Sequence, residues 1–284
     1  MFGNRTLNRL DKMLDEAMAG EFQEASYDET KLSRLESKWK QFLSSSYLLK
    51  ENLEKERDSV KSLVSDISHQ TKTPMTNIKM YTQLLEENLE SGNSEKNQML
   101  VQEIIRQTDR LEFLIQSLTK MSRLESNIVE VKPIKQRVWG MVEEAVASME
   151  ARAKQKQIEI QVVSEFEQEA WFDLKWTKEA LENILDNALK YSPIGSTVTI
   201  QAKEYELYTA ICVKDEGMGI EESEIPKIFG RFYRSEQVQQ EDGVGIGLYL
   251  AREIISKQDG YIKVKSKPGE GSEFQIFLRI FQNC

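Results

Sequence analysis

Histidine, cysteine and proline are scarce in this chain of 284 residues, which holds one His, two Cys and five Pro. A lone imidazole and two thiols cannot supply the ligand spacing of a zinc site. Cys212 lies in a strand-like run and Cys284 ends the chain, so a disulfide framework is excluded as well. Such cysteine usage fits a reducing cytosol. No apolar run approaches the roughly 18 to 20 residues that span a bilayer, and the first residues lack the apolar core of a signal peptide. Basic residues are outnumbered, 38 Lys and Arg against 47 Asp and Glu, and the net charge of −9 argues against nucleic acid or an anionic membrane as partner.

What is present is heptad periodicity, followed by a mixed pattern. Leu7, Leu10, Leu14 and Ala17 predict a short amphipathic helix over Arg5–Ala19, which Gly20 and the polar SYDET run stop. A second register starts at Leu32 and continues through Leu35, Trp39, Phe42, Leu49, Leu53, Val60, Leu63 and Ile67, with Ser46 and Glu56 as polar exceptions. A seam kept this long exceeds what one helix needs to lie on a globular core, and predicts a partner helix and a dimer. The helix continues past Pro74 to Leu85, and SGNSE (91–95) supplies the turn. Val101, Ile104, Leu111, Ile115 and Leu118 then predict a second helix ending near Leu124. Two such hairpins make a four-helix bundle.

The only histidine, His69, sits two residues past Ile67, and a helix turns it away from the seam into solvent. Pro74 cannot donate the i to i−4 hydrogen bond, so the turn Gln70 to Thr73 is expected to bend or loosen. Asp66, three residues back on the same face, is within reach of the ring.

Near 129–133 the pattern changes, which marks a domain boundary. Beyond it the sequence predicts helices over Gln136–Lys156, Thr177–Tyr191 and Ile246–Lys257. Strands are predicted in IEIQVV from Ile158, TVTIQAKE, LYTAICVKD, YIKVKS and EFQIFL. Together they suggest an α/β sandwich with a mixed sheet.

Three glycine clusters lie in this half. Gly217 and Gly219 follow the strand that ends at Lys214, where glycine lets a ligand approach the backbone. Gly243, Gly245, Gly247 and Leu248 open a helix, whose free N–H groups suit phosphate. Gly269 and Gly271 lie between the last two strands, where a plain hairpin turn is the better reading. In the helix over Thr177–Tyr191, Asn183 and Asn187 share one face with Lys190 a turn beyond. A carboxamide oxygen can coordinate Mg²⁺ and Lys190 can neutralise phosphate. Capping at a frayed end is the alternative for Asn187, and it does not account for Asn183.

SHQTKTP resembles the phosphoacceptor box of bacterial sensor histidine kinases, and ENILDNALKYS resembles their asparagine box. DEGMGI, KIFGRFYRSE, GVGIGL and GEGSEF resemble the remaining nucleotide-binding boxes, in the family's order, so the likeness covers residues from about 47 to 281. The resemblance implies the ATP-binding fold shared with type II topoisomerases and mismatch-repair ATPases, and ATP and Mg²⁺ as cofactors. By the same likeness His69 receives the γ-phosphoryl group. Asn187, helped by Asn183, holds Mg²⁺, and Lys190 and Tyr191 contact the nucleotide. Asp215 accepts from the adenine amino group while Gly217 and Gly219 keep side chains clear of the base. Arg234, in a lid between Phe229 and Gly243, reaches the γ-phosphate. Gly243, Gly245 and Gly247 form the far hinge, next to Leu248. Thr73 matches the position that holds water for dephosphorylating the partner. The residue after the histidine is usually acidic in this family; here it is Gln70, which can accept a hydrogen bond but not a proton, so transfer should be slowed rather than abolished.

The expected organisation is an N-terminal linker and signalling helix (1–46), a dimerisation and histidine phosphotransfer hairpin (47–130) and a catalytic ATP-binding domain (131–284). The expected function is autophosphorylation on His69 and transfer to an aspartate of a response regulator by a cytoplasmic homodimer, with membrane attachment only through a segment absent from this chain. Two rivals are an ATPase of the same fold without a phosphohistidine, and a nucleotide-binding dimeric scaffold.

Overall fold

The computed structural model describes residues 31–89, 94–125, 130–163, 167–238 and 243–281. The expected helix over Arg5–Ala19, the connection 90–93 and the lid residues 239–242 lie outside them. The chain divides into two compact units, residues 1–70 and 71–284.

Helix α1, Lys31–Leu89, runs unbroken through Pro74. The turn from Gln70 to Thr73 therefore stays helical, because one missing N–H leaves the rest of the ladder intact. Within residues 31–70 the seam predicted from the heptads faces outward in the single chain: Phe42, Leu49, Leu53 and Val60 are 53 to 64% exposed. Trp39 and Phe42 pack edge to face, 6.2 Å apart.

In residues 71–284, α1 ends at Leu89 and α2, Ser94–Glu125, completes a helical hairpin. Leu114, Met121 and Leu124 of α2 are each 1% exposed. Strand β1 (Ile134–Arg137) and helix α3 (Val138–Gln155) come next, then β2 (Glu159–Val162), β3 (Glu169–Phe172) and α4 (Leu174–Tyr191). Strands β4 (Thr197–Glu204) and β5 (Tyr208–Lys214), helix α5 (Gly247–Ser256), and β6 (Tyr261–Lys267) and β7 (Gly271–Arg279) complete the module. The main sheet has the order β2-β4-β5-β7-β6; β2 is parallel to β4 and the other pairs are antiparallel, so the sheet is mixed as expected.

Alternation along the strands sends Val198, Ile200, Ile211, Val213, Ile276 and Leu278 to the helix side. There they meet the apolar stripe of α4, whose Leu181, Ile184, Leu185 and Leu189 are fully buried. Burial of one such side chain stabilises the fold by about 1.5–3 kcal/mol, so this layer fixes where the polar face of α4 must point. On the opposite side of the sheet Cys212 lies beneath Tyr208, Tyr261 and Phe277, and burial pushes its thiol up.

Two elements were not read from the sequence. Strands β1 and β3 pair with each other, Ile134 opposite Phe172 and Arg137 opposite Glu169, as a separate two-stranded sheet. Helix α4 also starts three residues before Thr177, because the Asp173 side chain caps it by accepting from the Trp176 N–H at 3.2 Å. Gln258 joins that cap to the end of α5 by accepting from the Asp173 N–H at 2.6 Å and the Thr177 hydroxyl at 3.2 Å.

Candidate functional site

The polar face of α4 forms one wall of a cleft. Asn183, Asn187, Lys190 and Tyr191 line it at the helical spacing the sequence predicted. The Asn183 Nδ2 donates back to the Glu179 carbonyl at 2.8 Å, which directs its Oδ1 toward Gly247, where a Cβ would come within 2.9 Å. Asn187 is half-buried, and among the described residues its amide makes no hydrogen bond. The Lys190 ammonium lies 3.1 Å from the Tyr191 hydroxyl and 4.7 Å from its ring centre. A Cβ on Gly243, whose φ is +142°, would come within 2.9 Å of that ammonium.

Asp215 stands across the cleft at the end of β5. Its Oδ1 accepts the N–H groups of Gly217 at 2.8 Å and Ser272 at 3.1 Å. This saturates one carboxylate oxygen and leaves Oδ2 for a ligand. Burial pushes the Asp215 carboxyl above its ordinary value, and the two N–H donors pull the other way. Gly217 does not line the cleft but backs it: a Cβ there would meet Asp215 Oδ1 at 2.8 Å and the Tyr191 carbonyl at 2.9 Å. Gly219, at φ +73°, has the Lys267 carbonyl 2.1 Å from its Cβ position.

The third glycine cluster splits in two. Gly269 has nothing within 4 Å of its Cβ position and serves the hairpin turn, whereas at Gly271, with φ +86°, a Cβ would lie 2.1 Å from the Asp215 carbonyl. Gly271 and Ser272 thus pack against Asp215, in keeping with the GEGSEF likeness rather than with the plain hairpin turn that the glycine spacing alone suggested.

Gly245, Gly247 and Leu248 bring the start of α5 to the cleft, and among the described residues no side chain caps that helix. Its first N–H groups remain available to an anion. Arg234 also lines the cleft, where its guanidinium contacts the Val238 carbonyl. Tyr233 beside it donates to Glu224 at 2.9 Å. Among the described residues no three His, Cys, Asp or Glu side chains could enclose a metal ion. A cation here would be held by a neutral amide oxygen together with ligand phosphates, as Mg²⁺ commonly is.

His69 and Gln70 lie on α1 in the unit of residues 1–70, with the imidazole exposed and Gln70 half-buried. Asp66 accepts from the Ser62 hydroxyl at 3.5 Å. Thr73 is exposed and does not line the cleft.

Two family models match, one described as "Histidine kinase-, DNA gyrase B-, and HSP90-like ATPase" over residues 172–282, the other as "His Kinase A (phospho-acceptor) domain" over residues 59–127. The chain belongs to the sensor histidine kinases. The second match contains His69, and the first contains α4, Asp215 and all three glycine clusters. Among curated relatives, the sensor protein KdpD of Clostridium acetobutylicum is 31% identical over 230 residues, covering 80% of this chain and 25% of that protein. The sensor protein kinase PmrB of Pseudomonas aeruginosa is 27% identical over 234 residues, covering 81% and 48%. The chain thus spans between a quarter and about half the length of these relatives.

The fold matches that of histidine kinase ThkA, solved in complex with the response regulator protein TrrA. The TM-score is 0.65 and the identity 18%, with 80% of this chain and 64% of that one covered. The histidine kinase AdeS of Acinetobacter baumannii matches at a TM-score of 0.58 and 20% identity, covering 75% and 98%. Among the described residues no helix is long and apolar enough to cross a membrane.

Proposed function

We propose that this chain is an ATP-dependent protein-histidine kinase that phosphorylates itself on His69 and passes the group to an aspartate of a response regulator. The observation that carries the reading is the exposure of the chain's only imidazole on the matched phosphoacceptor segment. The cleft supplies the donor. Asp215 Oδ2 reads the adenine amino group, and Lys190, Arg234 and the start of α5 hold the phosphates. Asn187, with Asn183 beside it, fits Mg²⁺ through a half-buried amide oxygen that has no hydrogen-bond partner among the described residues. When bound, the ion neutralises phosphate charge.

A neutral imidazole nitrogen attacks the γ-phosphorus, the P–N bond forms as the bond to the β,γ-bridging oxygen breaks, and ADP leaves. Positioning and charge stabilisation supply most of the acceleration. Gln70 orients the ring without taking its proton. Thr73 is placed for the reverse duty, holding water against the phosphorylated regulator.

The outward seam from Trp39 to Ile67 supports a homodimer in which two hairpins form a four-helix bundle. We place the divisions at 1–46, 47–130 and 131–284, with the first segment carrying the signal, and the working compartment in the cytoplasm, where ATP is available. Incubation with γ-labelled ATP should give acid-labile, alkali-stable protein phosphate, and His69→Gln should abolish it while nucleotide affinity stays the same. Labelling that survives in the variant would overturn the assignment of His69 as acceptor, and ATP hydrolysis that survives without labelled protein would point to an ATPase instead.

A further inference from the structure

Helix α2 carries a second stripe beside the hairpin seam. Phe113, Ser117, Lys120 and Leu124 follow a four-three-four spacing, which places them on one face. Each meets the ATP-binding module or is buried. Phe113 lines the same cleft as Asn187 and Asp215. The Lys120 ammonium pairs with Glu179 of α4 at 2.6 Å. Ser117 and Leu124 are 6% and 1% exposed.

At the end of the stripe, Glu125 Oε1 accepts from Arg231 at 2.5 Å and from the Tyr249 hydroxyl at 2.7 Å. Arg231 also donates to that hydroxyl at 3.0 Å and lies 5.0 Å from the Tyr249 ring centre. Burial, then the Glu125 carboxylate, push the Tyr249 phenol up to about 12, so it remains a donor throughout the physiological range. Arg231 lies at the start of the lid segment and Tyr249 in the first turn of α5, so this clamp ties Glu125 to both flanks of the phosphate end of the cleft.

We propose that the hairpin completes the nucleotide site: Phe113 is a wall against which bound nucleotide packs, and the Glu125–Arg231–Tyr249 clamp with the Lys120–Glu179 pair holds that wall in place. The inference rests on the nucleotide reading above. Phe113 is then a binding residue and Glu125 a positioning residue that acts through Arg231.

Calorimetric titration of the full chain with ADP and with a non-hydrolysable ATP analogue tests it. Phe113→Ala should weaken both by about three- to tenfold, the range of one aromatic contact. Glu125→Arg should weaken them by a similar factor, as should Arg231→Glu. The double charge swap should recover most of the loss, which a merely destabilised fold would not do. Wild-type affinity in Phe113→Ala would overturn the inference. Tighter binding would also overturn it, by revealing the ring as an obstruction. If the charge swap recovers nothing, the clamp has no positioning role. Failure of the wild-type chain to bind either nucleotide would instead refute the nucleotide reading itself.

Discussion

Replacing Asp215 with Asn separates what this residue does for a ligand from what it does for the fold. An Asn Oδ1 can still accept the Gly217 and Ser272 N–H groups at 2.8 and 3.1 Å, so the turn after β5 should survive. The second position changes from a charged acceptor to an NH₂ donor, which would face the adenine amino group donor to donor. Hydrogen bonds to charged groups contribute about 1.5–3 kcal/mol. At about 1.4 kcal/mol per tenfold, the affinity for ADP should fall roughly tenfold to a hundredfold.

The stability effect has the opposite sign. The folded state raises the carboxyl's pKa through burial. Relative to the protonated form, its contribution is therefore fully present below the unfolded-state pKa and is lost as pH rises through the folded one. At neutral pH the buried charge destabilises the nucleotide-free fold, so Asp215→Asn should melt at the same temperature or higher at pH 7.5, and the advantage should vanish near pH 3. Titration calorimetry and thermal melts at the two pH values measure both effects. Unchanged ADP affinity would refute the base-reading role. A lower melting temperature at pH 7.5 would show that the carboxylate, not merely an acceptor oxygen, holds the turn.

Asn187→Ala removes a side-chain amide with no hydrogen bond among the described residues, so thermal stability without nucleotide should stay within about 1 kcal/mol while autophosphorylation is lost; a normal labelling rate would assign the amide no metal role. Gln70→Glu restores a carboxylate beside His69, and should raise the single-turnover rate by roughly tenfold to a hundredfold near pH 7 if a general base contributes. Equal rates would leave Asp66→Asn as the next variant to measure. Gly219→Ala puts a methyl group 2.1 Å from the Lys267 carbonyl at a φ of +73°, and should cost about 2–4 kcal/mol, read as a lower melting temperature. An unshifted melt would mean that the β6–β7 turn yields to the methyl group.

Periodicity over many residues was legible because it reports a local physical fact: which side of one helix or strand avoids water. The seam of α1, the second helix of the hairpin, the strand TVTIQAKE and the polar face of α4 could be read this way, as could the exposure of His69, which follows from helical spacing alone. What escaped depends on partners distant in the chain. Strands β1 and β3 are four residues each, too short for alternation to stand out, and exist because Ile134 finds Phe172. Asp173, the single residue between β3 and α4, caps the helix with its side chain while its own N–H is held by Gln258.

The division is the same within the site. Asn187 and Lys190 share a face by spacing, and the glycines after β5 and before α5 announce close backbone approach. Only the pairing of β5 with β7 brings the Ser272 N–H to Asp215, which decides which carboxylate oxygen is left for a ligand and packs Gly271 against the Asp215 backbone. Phe113 was not singled out in the sequence because nothing local to α2 distinguishes it, and it remains about half exposed at the mouth of the cleft. Its place at the cleft is set by Lys120 and Glu125 finding Glu179, Arg231 and Tyr249, charges and hydroxyls that no periodicity within α2 encodes.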